Sequence, residues 1–416
     1  MNAKIFVVGI GYSLLSQNSR EILLKSKHIL TSTRLLEVFS TYHEYDMVKD
    51  QVVLIDGVEN TMQFIRNFLK DCGSDQCYLS VLASGDPMFY GIGRRIALEF
   101  GKENVLISPE LSSIQIAFSR IKEPWDNAFL MSVHGGPYPG RRINRYEVDD
   151  IPYFLSLYGK VCILTDPVNN PTLIAKTLCE YFEDGPYMYV LEKLGYGDER
   201  VVEGKPIELS SMQFREPNVV IVTLPNLSSA PRFGLTESDI AHKNGLITKD
   251  EVRALVIHSL KPPPRGVVWD IGAGSGSVSL ELSLLFPELT IFAIEKDPEM
   301  LALLWENKRK FKARYKIIQG EAPEALSNLP TPQRVFIGGS GGRLLELLDF
   351  VSNAHPEILV LTLTLLENLC FILNYFKGKG YLVDITQVYA SRSKEMQGML
   401  RLSAQNPIFV VAGKRS

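Results

Sequence analysis

The sequence predicts an α/β protein built from two domains. A chain of 416 residues is too long for one ordinary hydrophobic core. Short apolar runs rich in β-branched residues alternate with stretches of helical spacing, and this alternation is typical of α/β layers. The segment LPNLSSAPRFG, residues 224–234, has two prolines and several small polar residues, as inter-domain connections often do. We therefore expect domains at 1–224 and 236–416, joined by a linker at 225–235.

The first half contains two groups of apolar runs that predict buried strands. Between the first of these runs, residues 18–27 and 60–70 have the periodicity of amphipathic helices. Pro109 and the segment PELSS interrupt the pattern, which predicts two lobes at about 1–108 and 109–224. The predicted strands are 4–11, 52–56, 77–84, 104–108, 128–135, 160–166, 187–195 and 218–224.

The second half begins a fresh α/β series. Its last two strands lie close together, without room for a full helix between them, so we expect a parallel sheet that ends in an antiparallel hairpin. A seven-stranded sheet with this ending is typical of class I methyltransferases, a Rossmann-like fold, and not of dinucleotide-binding domains. The seven predicted strands are 266–272, 289–297, 315–320, 333–339, 357–364, 381–390 and 406–414.

The segment WDIGAGSGSVSLEL carries the strongest single signal for a ligand site. A predicted strand ends at Asp270, and Gly272, Gly274 and Gly276 follow before an apolar helix. Glycines let the backbone turn sharply and lie against a ligand, beside the positive end of the helix. Ser277 occupies the position where the dinucleotide-binding pattern G-x-G-x-x-G requires its third glycine. The spacing therefore resembles motif I of S-adenosylmethionine enzymes.

Two further positions fit an S-adenosylmethionine site. Glu295 ends the next predicted strand, where a carboxylate can accept both ribose hydroxyls. Glu321 and Ala322 follow the third strand, where such enzymes contact the adenine. The alternative is a glycine turn in an unrelated α/β protein, and the acidic residues at two successive strand ends count against it.

The C-terminal half resembles the C15-methylating, decarboxylating half of the corrin-ring methyltransferases of cobalamin biosynthesis. This resemblance adds Gly338 and Gly339, in VFIGGSGG, to the expected cofactor site. Most other class I enzymes carry an acidic residue in place of this glycine pair. Glu321 departs from the family, which commonly has aspartate at that position. The segments that carry the resemblance are 245–281, 335–342, 363–369 and 387–414.

The N-terminal half resembles the tetrapyrrole methylases, whose two-lobed fold binds S-adenosylmethionine in a cleft between α/β lobes. The segments that carry the resemblance are 7–11, 82–96, 109–135, 163–178 and 192–204. The residues that it places near the cofactor are Gly85, Asp86, Met88, Ser112, Ser113 and Thr165. On the residues alone, Gly-Asp-Pro at 85–87 is equally a turn, and the two serines are equally a helix cap. The family's first loop reads G-x-G-P-G, whereas Tyr12 and Ser13 follow Gly11 here.

The resemblance also implies a reaction. Residues 124–126 and 197–200 resemble the C5-methylating branch of the tetrapyrrole methylases. The implied reaction is methylation of a precorrin-6-type macrocycle at C5 and C15 with loss of the C12 acetate carboxyl, using one S-adenosylmethionine in each domain. The sequence has no evident catalytic triad, and the catalytic residues are unknown. Candidates for proton handling are His355, Glu367 and Tyr389, with a core or surface role as the alternative for each.

A macrocycle that carries several acetate and propionate groups needs cationic partners. The alternative fate for each candidate cation is a solvated charged loop. The candidates are Arg141, Arg142 and Arg145 in the first half and Arg392, Lys394 and Arg401 in the second.

Net charge, apolar content and cysteine spacing limit which other partners are possible. A net charge of −3 argues against a nucleic-acid partner. No run of about 18 apolar residues or signal peptide is present, so we expect a cytoplasmic protein without a membrane partner. The cysteines lack metal-ligand spacing, so we expect reduced thiols and no metal site at Cys72, Cys77, Cys162, Cys179 and Cys370.

Several questions stay open at the level of sequence. The resemblance implies a homo-oligomer, but no interface is legible, and neither the order of the methylations nor the presence of cobalt in the substrate is encoded. The alternative function is a class I RNA or protein methyltransferase in the C-terminal half, attached to a degenerate N-terminal binding module.

Overall fold

The computed structural model describes residues 4–11, 13–72, 77–134, 146–227 and 231–415. By its contacts the chain divides into two compact units, Met1–Asn226 and Leu227–Ser416. In the described ranges, none of the helices combines the length and the apolar character needed to cross a bilayer.

The first lobe of the N-terminal unit is a five-stranded, all-parallel sheet in the order β3-β2-β4-β1-β5. Strand β1, between β4 and β5, is buried on both faces after its first residue, as expected for a parallel sheet covered by helices on both sides. The strands are β1 (Lys4–Ile10), β2 (His28–Thr31), β3 (Val52–Leu54), β4 (Tyr78–Ser84) and β5 (Val105–Ser108). The helices are α1 (Gln17–Lys25), α2 (Thr33–Phe39), α3 (Tyr45–Val48), α4 (Val58–Asp71) and α5 (Gly93–Phe100).

The second lobe is a mixed five-stranded sheet in the order β6-β7-β10-β8-β9, in which the neighbours β6 and β7 pair parallel and the other neighbouring strands pair antiparallel. Helix α6 begins at the predicted place because Ser112 and Gln115 form a capping box at its start. The strands are β6 (Phe129–Ser132), β7 (Lys160–Leu164), β8 (Tyr187–Glu192), β9 (Arg200–Gly204) and β10 (Asn218–Thr223). The helices are α6 (Ser113–Ile121), α7 (Ile151–Tyr158), α8 (Pro171–Tyr181) and α9 (Pro206–Leu209).

The C-terminal unit has the predicted seven-stranded sheet, in the order β13-β12-β11-β14-β15-β19-β16. Strand β19 is antiparallel to both of its neighbours, and the other strands are parallel to one another. The strands are β11 (Gly266–Ile271), β12 (Leu289–Glu295), β13 (Lys316–Gln319), β14 (Arg334–Ile337), β15 (Ile358–Leu363), β16 (Tyr381–Val388) and β19 (Ile408–Arg415). The helices are α10 (Asp250–Leu260), α11 (Ser277–Leu285), α12 (Pro298–Phe311), α13 (Leu344–Asn353) and α14 (Leu366–Gly378).

Along the chain, a separate hairpin connects β16 to β19. It consists of β17 (Ser391–Met396) and β18 (Met399–Ala404), which pair antiparallel with each other. The expectation of two adjacent terminal strands is therefore correct for β16 and β19, but the connection between them is itself a two-stranded sheet.

A buried ion pair anchors the start of the C-terminal unit. The side chains of Arg253 and Glu281 are only 1% and 2% exposed, and Arg253 Nε donates to Glu281 Oε2 at 2.9 Å. The other carboxylate oxygen accepts the backbone N–H groups of Gly234 and Leu235, at 3.0 and 2.8 Å. Arg253 also donates to the carbonyl of Leu235. The last two residues of the predicted linker are thus bound to α10 and α11.

One expectation about the cysteines is wrong. Cys72, directly after α4, and Cys77, directly before β4, form a disulfide with Cα atoms 6.2 Å apart. Cys162 is buried, Cys179 is partly buried and Cys370 is exposed, all as free thiols.

Candidate functional site

The glycine loop of the C-terminal unit connects β11 to α11 at the carboxyl edge of the sheet. Gly272, Gly274 and Gly276 all have φ values in the left-handed region, at 68°, 58° and 81°. A Cβ atom on Gly272 would lie 2.7 Å from the carbonyl oxygen of Gly339, and one on Gly276 would overlap Leu304. A Cβ atom on Gly274 would meet nothing within 4 Å. Gly272 and Gly276 therefore pack the loop tightly, and Gly274 faces open space.

Glu295 is held in place at the end of β12. Its Oε2 accepts the backbone N–H of Gly274 at 2.8 Å, which ties the carboxylate to the glycine loop. Its Oε1 accepts the N–H groups of Lys296 and Asp297, at 2.8 and 2.9 Å. The carboxylate is thus fixed by three backbone donors before any ligand arrives.

Asp270 is the penultimate residue of β11 and is almost completely buried, with 1% exposure. Its Oδ2 accepts from the backbone N–H and the hydroxyl of Ser279, at 3.0 and 2.6 Å. Its Oδ1 is buried without a hydrogen-bond partner among the described residues. Burial raises the pKa of Asp270 to about 6, and the nearby Glu295 carboxylate contributes in the same direction.

This raised pKa predicts a pH-dependent stability. Below about pH 4 the carboxyl is protonated in both the folded and the unfolded chain. Between about pH 4 and about pH 6 only the folded chain keeps the proton, so the free energy of unfolding falls as pH rises, by about 3 kcal/mol in total for this group. Urea unfolding of wild type and Asp270→Asn at about pH 4.5 and about pH 7 measures it. An unchanged pH slope in the variant would contradict the assignment.

The other predicted cofactor positions of this unit line the same edge. Glu321 follows β13 and accepts a hydrogen bond from Lys296 Nζ at 2.6 Å, with both side chains about half exposed. Ala322, next to it, packs against the main core of the unit. Gly338 donates its backbone N–H to the carbonyl of Ile271 at 2.9 Å. Together with the Gly339 contact described above, this joins the loop after β14 to the loop after β11.

The proton-handling candidates lie at two different edges of the sheet. Glu367, in the first turn of α14, follows β15 at its carboxyl end and is exposed. Tyr389 follows β16, which runs parallel to β15, so it lies at the same edge, 73% exposed. His355 precedes β15 and lies at the opposite edge, where its Nδ1 is 2.9 Å from the carbonyl oxygen of Ser352. It is therefore not part of the site proposed below.

The basic candidates of the C-terminal unit lie on the β17–β18 hairpin. Lys394 and Arg401 are opposite each other in the register and exposed. Arg392 donates to both carboxylate oxygens of Glu251, at 3.0 and 2.7 Å, and lies 3.0 Å from Asp250 and 3.5 Å from Glu237. These carboxylates already neutralise Arg392, so it anchors the hairpin and offers little free charge to a substrate. The three basic candidates of the first half, Arg141, Arg142 and Arg145, lie outside the described residues, and so does Tyr12.

A large cavity lies between the two lobes of the N-terminal unit. Its volume is about 1410 Å³, above the range that drug-sized ligands fill. Apolar side chains from both sheets form part of the wall, among them Ile10, Leu82, Leu164 and Val219. The space can hold a ligand larger than an ordinary metabolite.

Three loops meet at one end of this cavity, at the carboxyl ends of β1, β4 and β5. A Cβ atom on Gly9 would lie 2.0 Å from the carbonyl oxygen of Gly85 and 2.7 Å from the backbone nitrogen of Glu110. Gly85 donates its N–H to Ile10 at 3.0 Å, and its φ is 61°. Ser13, beyond the position where the family has proline, donates its hydroxyl to Glu110 Oε2 at 2.6 Å. Glycines are required here because the backbones touch.

Most of the predicted N-terminal cofactor residues line the cavity, and several of their side chains also hold the surrounding backbone in place. Asp86, Ser112, Ser113 and Thr165 line the cavity, whereas Met88 does not. Asp86 Oδ1 accepts the N–H of Met88 at 2.8 Å, so the turn interpretation is correct for its side chain. Ser112 caps α6, and Thr165 donates its hydroxyl to the Asn218 side chain at 2.6 Å.

Sequence reasoning missed several polar residues of the cavity, and two of them lie on or beside α2. Arg34, on α2, and Tyr42, shortly after it, both line the cavity. Tyr42 Oη accepts the backbone N–H of Gly11 at 2.9 Å, and burial raises the pKa of its phenol. Neither belongs to a recognisable motif, so only the three-dimensional structure could have found them.

The two units together define a class of protein. A two-lobed unit with glycine loops beside a large cavity precedes a seven-stranded unit with a G-x-G-x-G loop and a buried acidic strand end. These are two unlike folds in one chain, each of a kind that methyltransferases use.

Comparison with known proteins identifies the family. Residues 4–209 match the model for tetrapyrrole (corrin/porphyrin) methylases, and residues 239–412 match the model for the precorrin methyltransferase domain. A precorrin-6Y C(5,15)-methyltransferase [decarboxylating] from Sinorhizobium sp is 33% identical over 67% of this chain and 65% of its own length. One from Mycobacterium tuberculosis is 28% identical over 80% of each chain. A cobalt-precorrin-6B C(15)-methyltransferase (decarboxylating) from Salmonella typhimurium is 37% identical over 41% of this chain and 90% of its own length.

The chain therefore belongs to the family of decarboxylating precorrin methyltransferases, with a tetrapyrrole methylase domain preceding the precorrin methyltransferase domain. The Sinorhizobium alignment spans just under two thirds of that relative.

Proposed function

We propose that this protein methylates a precorrin-6-type macrocycle at C5 and C15 and removes the carboxyl group of the C12 acetate, in cobalamin biosynthesis. The observation that carries the proposal is the presence of both family domains, in the order and with the loops described above, in one chain. The N-terminal unit would methylate C5, and the C-terminal unit would methylate C15 and decarboxylate.

Each unit would bind its own S-adenosylmethionine, which supplies an electrophilic methyl group on a sulfonium. In the C-terminal unit three observations support an S-adenosylmethionine site. They are the open space at Gly274, the Glu295 carboxylate held by backbone donors, and the buried Oδ1 of Asp270, which has no hydrogen-bond partner among the described residues. The remaining residues of this proposed site are Gly272, Gly276, Glu321, Ala322, Gly338 and Gly339. In the N-terminal unit the cavity-lining Asp86, Ser112, Ser113 and Thr165 would lie beside the donor, with Gly85 shaping the loop.

The protein's contribution to methyl transfer would be alignment and exclusion of water. A direct displacement at carbon needs the donor and the ring carbon at about 3 Å in line, and no covalent enzyme intermediate. A cavity of about 1410 Å³ walled by apolar side chains from two lobes suits this requirement.

Decarboxylation would use the same carboxyl edge of the C-terminal sheet. The electrons released from the acetate need a protonated, conjugated ring to accept them, so a proton donor nearby would help. Glu367 and Tyr389 lie at that edge, and Lys394 and Arg401 on the adjacent hairpin would attract acidic side chains of the substrate. Normal decarboxylation by both Glu367→Gln and Tyr389→Phe would remove these two residues from the proposal.

Mass spectrometry of the product tests the function. The full chain is incubated with S-adenosylmethionine and a precorrin-6-type macrocycle, with and without cobalt. We expect the product to gain two methyl groups and lose one carbon dioxide. Unchanged substrate in both incubations, together with methylation of added RNA or protein, would favour the alternative class I function. The family matches and the net charge of −3 do not favour that alternative.

A homo-oligomeric state is also part of the proposal. Leu400 and Leu402, two residues apart on β18 and therefore on one face, are 76% and 73% exposed. Such a face supports self-association, and sedimentation velocity of the full chain would measure it.

A further inference from the structure

The charges that line the N-terminal cavity are strongly uneven. Four carboxylates line it, those of Glu37, Asp86, Asp166 and Glu216. Among the described residues of the wall, Arg34 is the one arginine or lysine. A ligand that carries many carboxylates is repelled at these four positions and attracted at Arg34. Its orientation is therefore set by where it can find a cation.

Arg34 is exposed into this space and has no hydrogen-bond or salt-bridge partner in the described part of the chain. Its backbone is nevertheless well fixed. Thr33, the preceding residue, donates its N–H and its hydroxyl to the Asp56 carboxylate, at 3.0 and 2.7 Å. On the other side of α2, Leu35 and Phe39 are buried in the core of the lobe. The guanidinium is thus an unpaired cation on an anchored element.

Tyr42 provides a second donor beyond the other end of α2. Its ring packs near Phe39, with centroids 6.2 Å apart. Its oxygen accepts the N–H of Gly11 at 2.9 Å, and its own hydroxyl proton has no acceptor among the described residues. Because burial raises the pKa of this phenol, it keeps that proton at neutral pH and can donate it.

We propose that Arg34 and Tyr42 form a two-point recognition site for the acidic side chains of the tetrapyrrole substrate. Arg34 binds one acetate or propionate group with its planar set of N–H donors. Tyr42 donates to a second acceptor, separated from the first by about the length of α2. This inference rests on the proposed function, since it names the part of the N-terminal unit that recognises the macrocycle. It places a cation for substrate recognition on α2.

The test uses the full chain and uroporphyrin III, a tetrapyrrole with eight carboxylates, whose fluorescence reports binding. We expect wild type to bind it, Arg34→Gln to bind about tenfold more weakly, and Arg34→Lys to lie between the two. Tyr42→Phe loses one neutral hydrogen bond and should weaken binding by roughly threefold. Arg94→Gln is the matched control, because Arg94 is an exposed arginine of the same unit that does not line the cavity.

Thermal melts of each variant distinguish a lost contact from a lost fold. No binding of uroporphyrin III by wild type, or equal affinity in Arg34→Gln and Arg94→Gln, overturns the site. Titration of wild type with S-adenosylhomocysteine is run alongside. Failure of that titration contradicts the proposed function, whereas the uroporphyrin series judges the Arg34 site by itself.

Discussion

Gly272→Ala is expected to destabilise the C-terminal unit by about 3 kcal/mol and to lower its melting temperature by about 10 °C. Two costs add at this position. The residue has a φ of 68°, which an L side chain adopts only with strain. The added methyl group would also lie 2.7 Å from the Gly339 carbonyl oxygen and 2.8 Å from its nitrogen, so the loops after β11 and β14 must separate. Differential scanning calorimetry of the full chain measures the shift.

Gly274→Ala is the matched control for this prediction. Its φ of 58° brings a similar strain, but no atom lies within 4 Å of the added carbon. We expect a loss of stability of about 1 kcal/mol and a clear loss of S-adenosylhomocysteine affinity, because the methyl group enters the proposed ligand space. Equal melting temperatures for the two variants would contradict the close contact with Gly339.

Arg253→Met is expected to lower the free energy of unfolding by about 3–5 kcal/mol. The substitution keeps an apolar stem of similar length but leaves the Glu281 carboxylate buried without its cation. The backbone of Gly234 and Leu235 is held by the same pair, so the start of the unit should also loosen. Urea unfolding gives the free energy, and hydrogen exchange at Leu235 reports the local loosening.

Arg265→Met serves as the control for the buried pair. The Arg265 side chain is 73% exposed and lies 3.6 Å from Glu288, so its loss should cost less than about 1 kcal/mol. If the two variants unfold at the same urea concentration, burial is not what makes the Arg253 pair important.

The sequence predicted most strands of the parallel sheets, because they are continuous apolar runs between turn residues. Strands β2 and β9 escaped prediction for physical reasons. Strand β2, His28–Thr31, follows α1 with only Ser26 and Lys27 between them, so no turn signal separates it from the predicted helix at 18–27. Strand β9, Arg200–Gly204, is an edge strand whose residues are mostly exposed. The β17–β18 hairpin is almost entirely exposed, so it has no buried periodicity to detect.

The candidate site likewise contains residues with a recognisable sequence pattern and residues that only tertiary packing brings to it. Asp270, the glycines of its loop and Glu295 were identified because their spacing along the chain is fixed by the strand–loop–helix geometry they serve. Arg34 and Tyr42 could not be, since they reach the cavity through the packing of α2 against β4 and the lobe around it. The Cys72–Cys77 disulfide was missed because the spacing of two cysteines along the chain does not specify whether their Cα atoms lie within disulfide distance.

The central claim is that each half of this chain has its own methyl-donor site. Isothermal titration of the full chain with S-adenosylhomocysteine tests it most directly, in wild type and in Gly274→Arg, whose side chain fills the open space at the C-terminal loop. The account predicts two molecules bound per wild-type chain and one per variant chain. A single site in wild type, or two sites in Gly274→Arg, would contradict it.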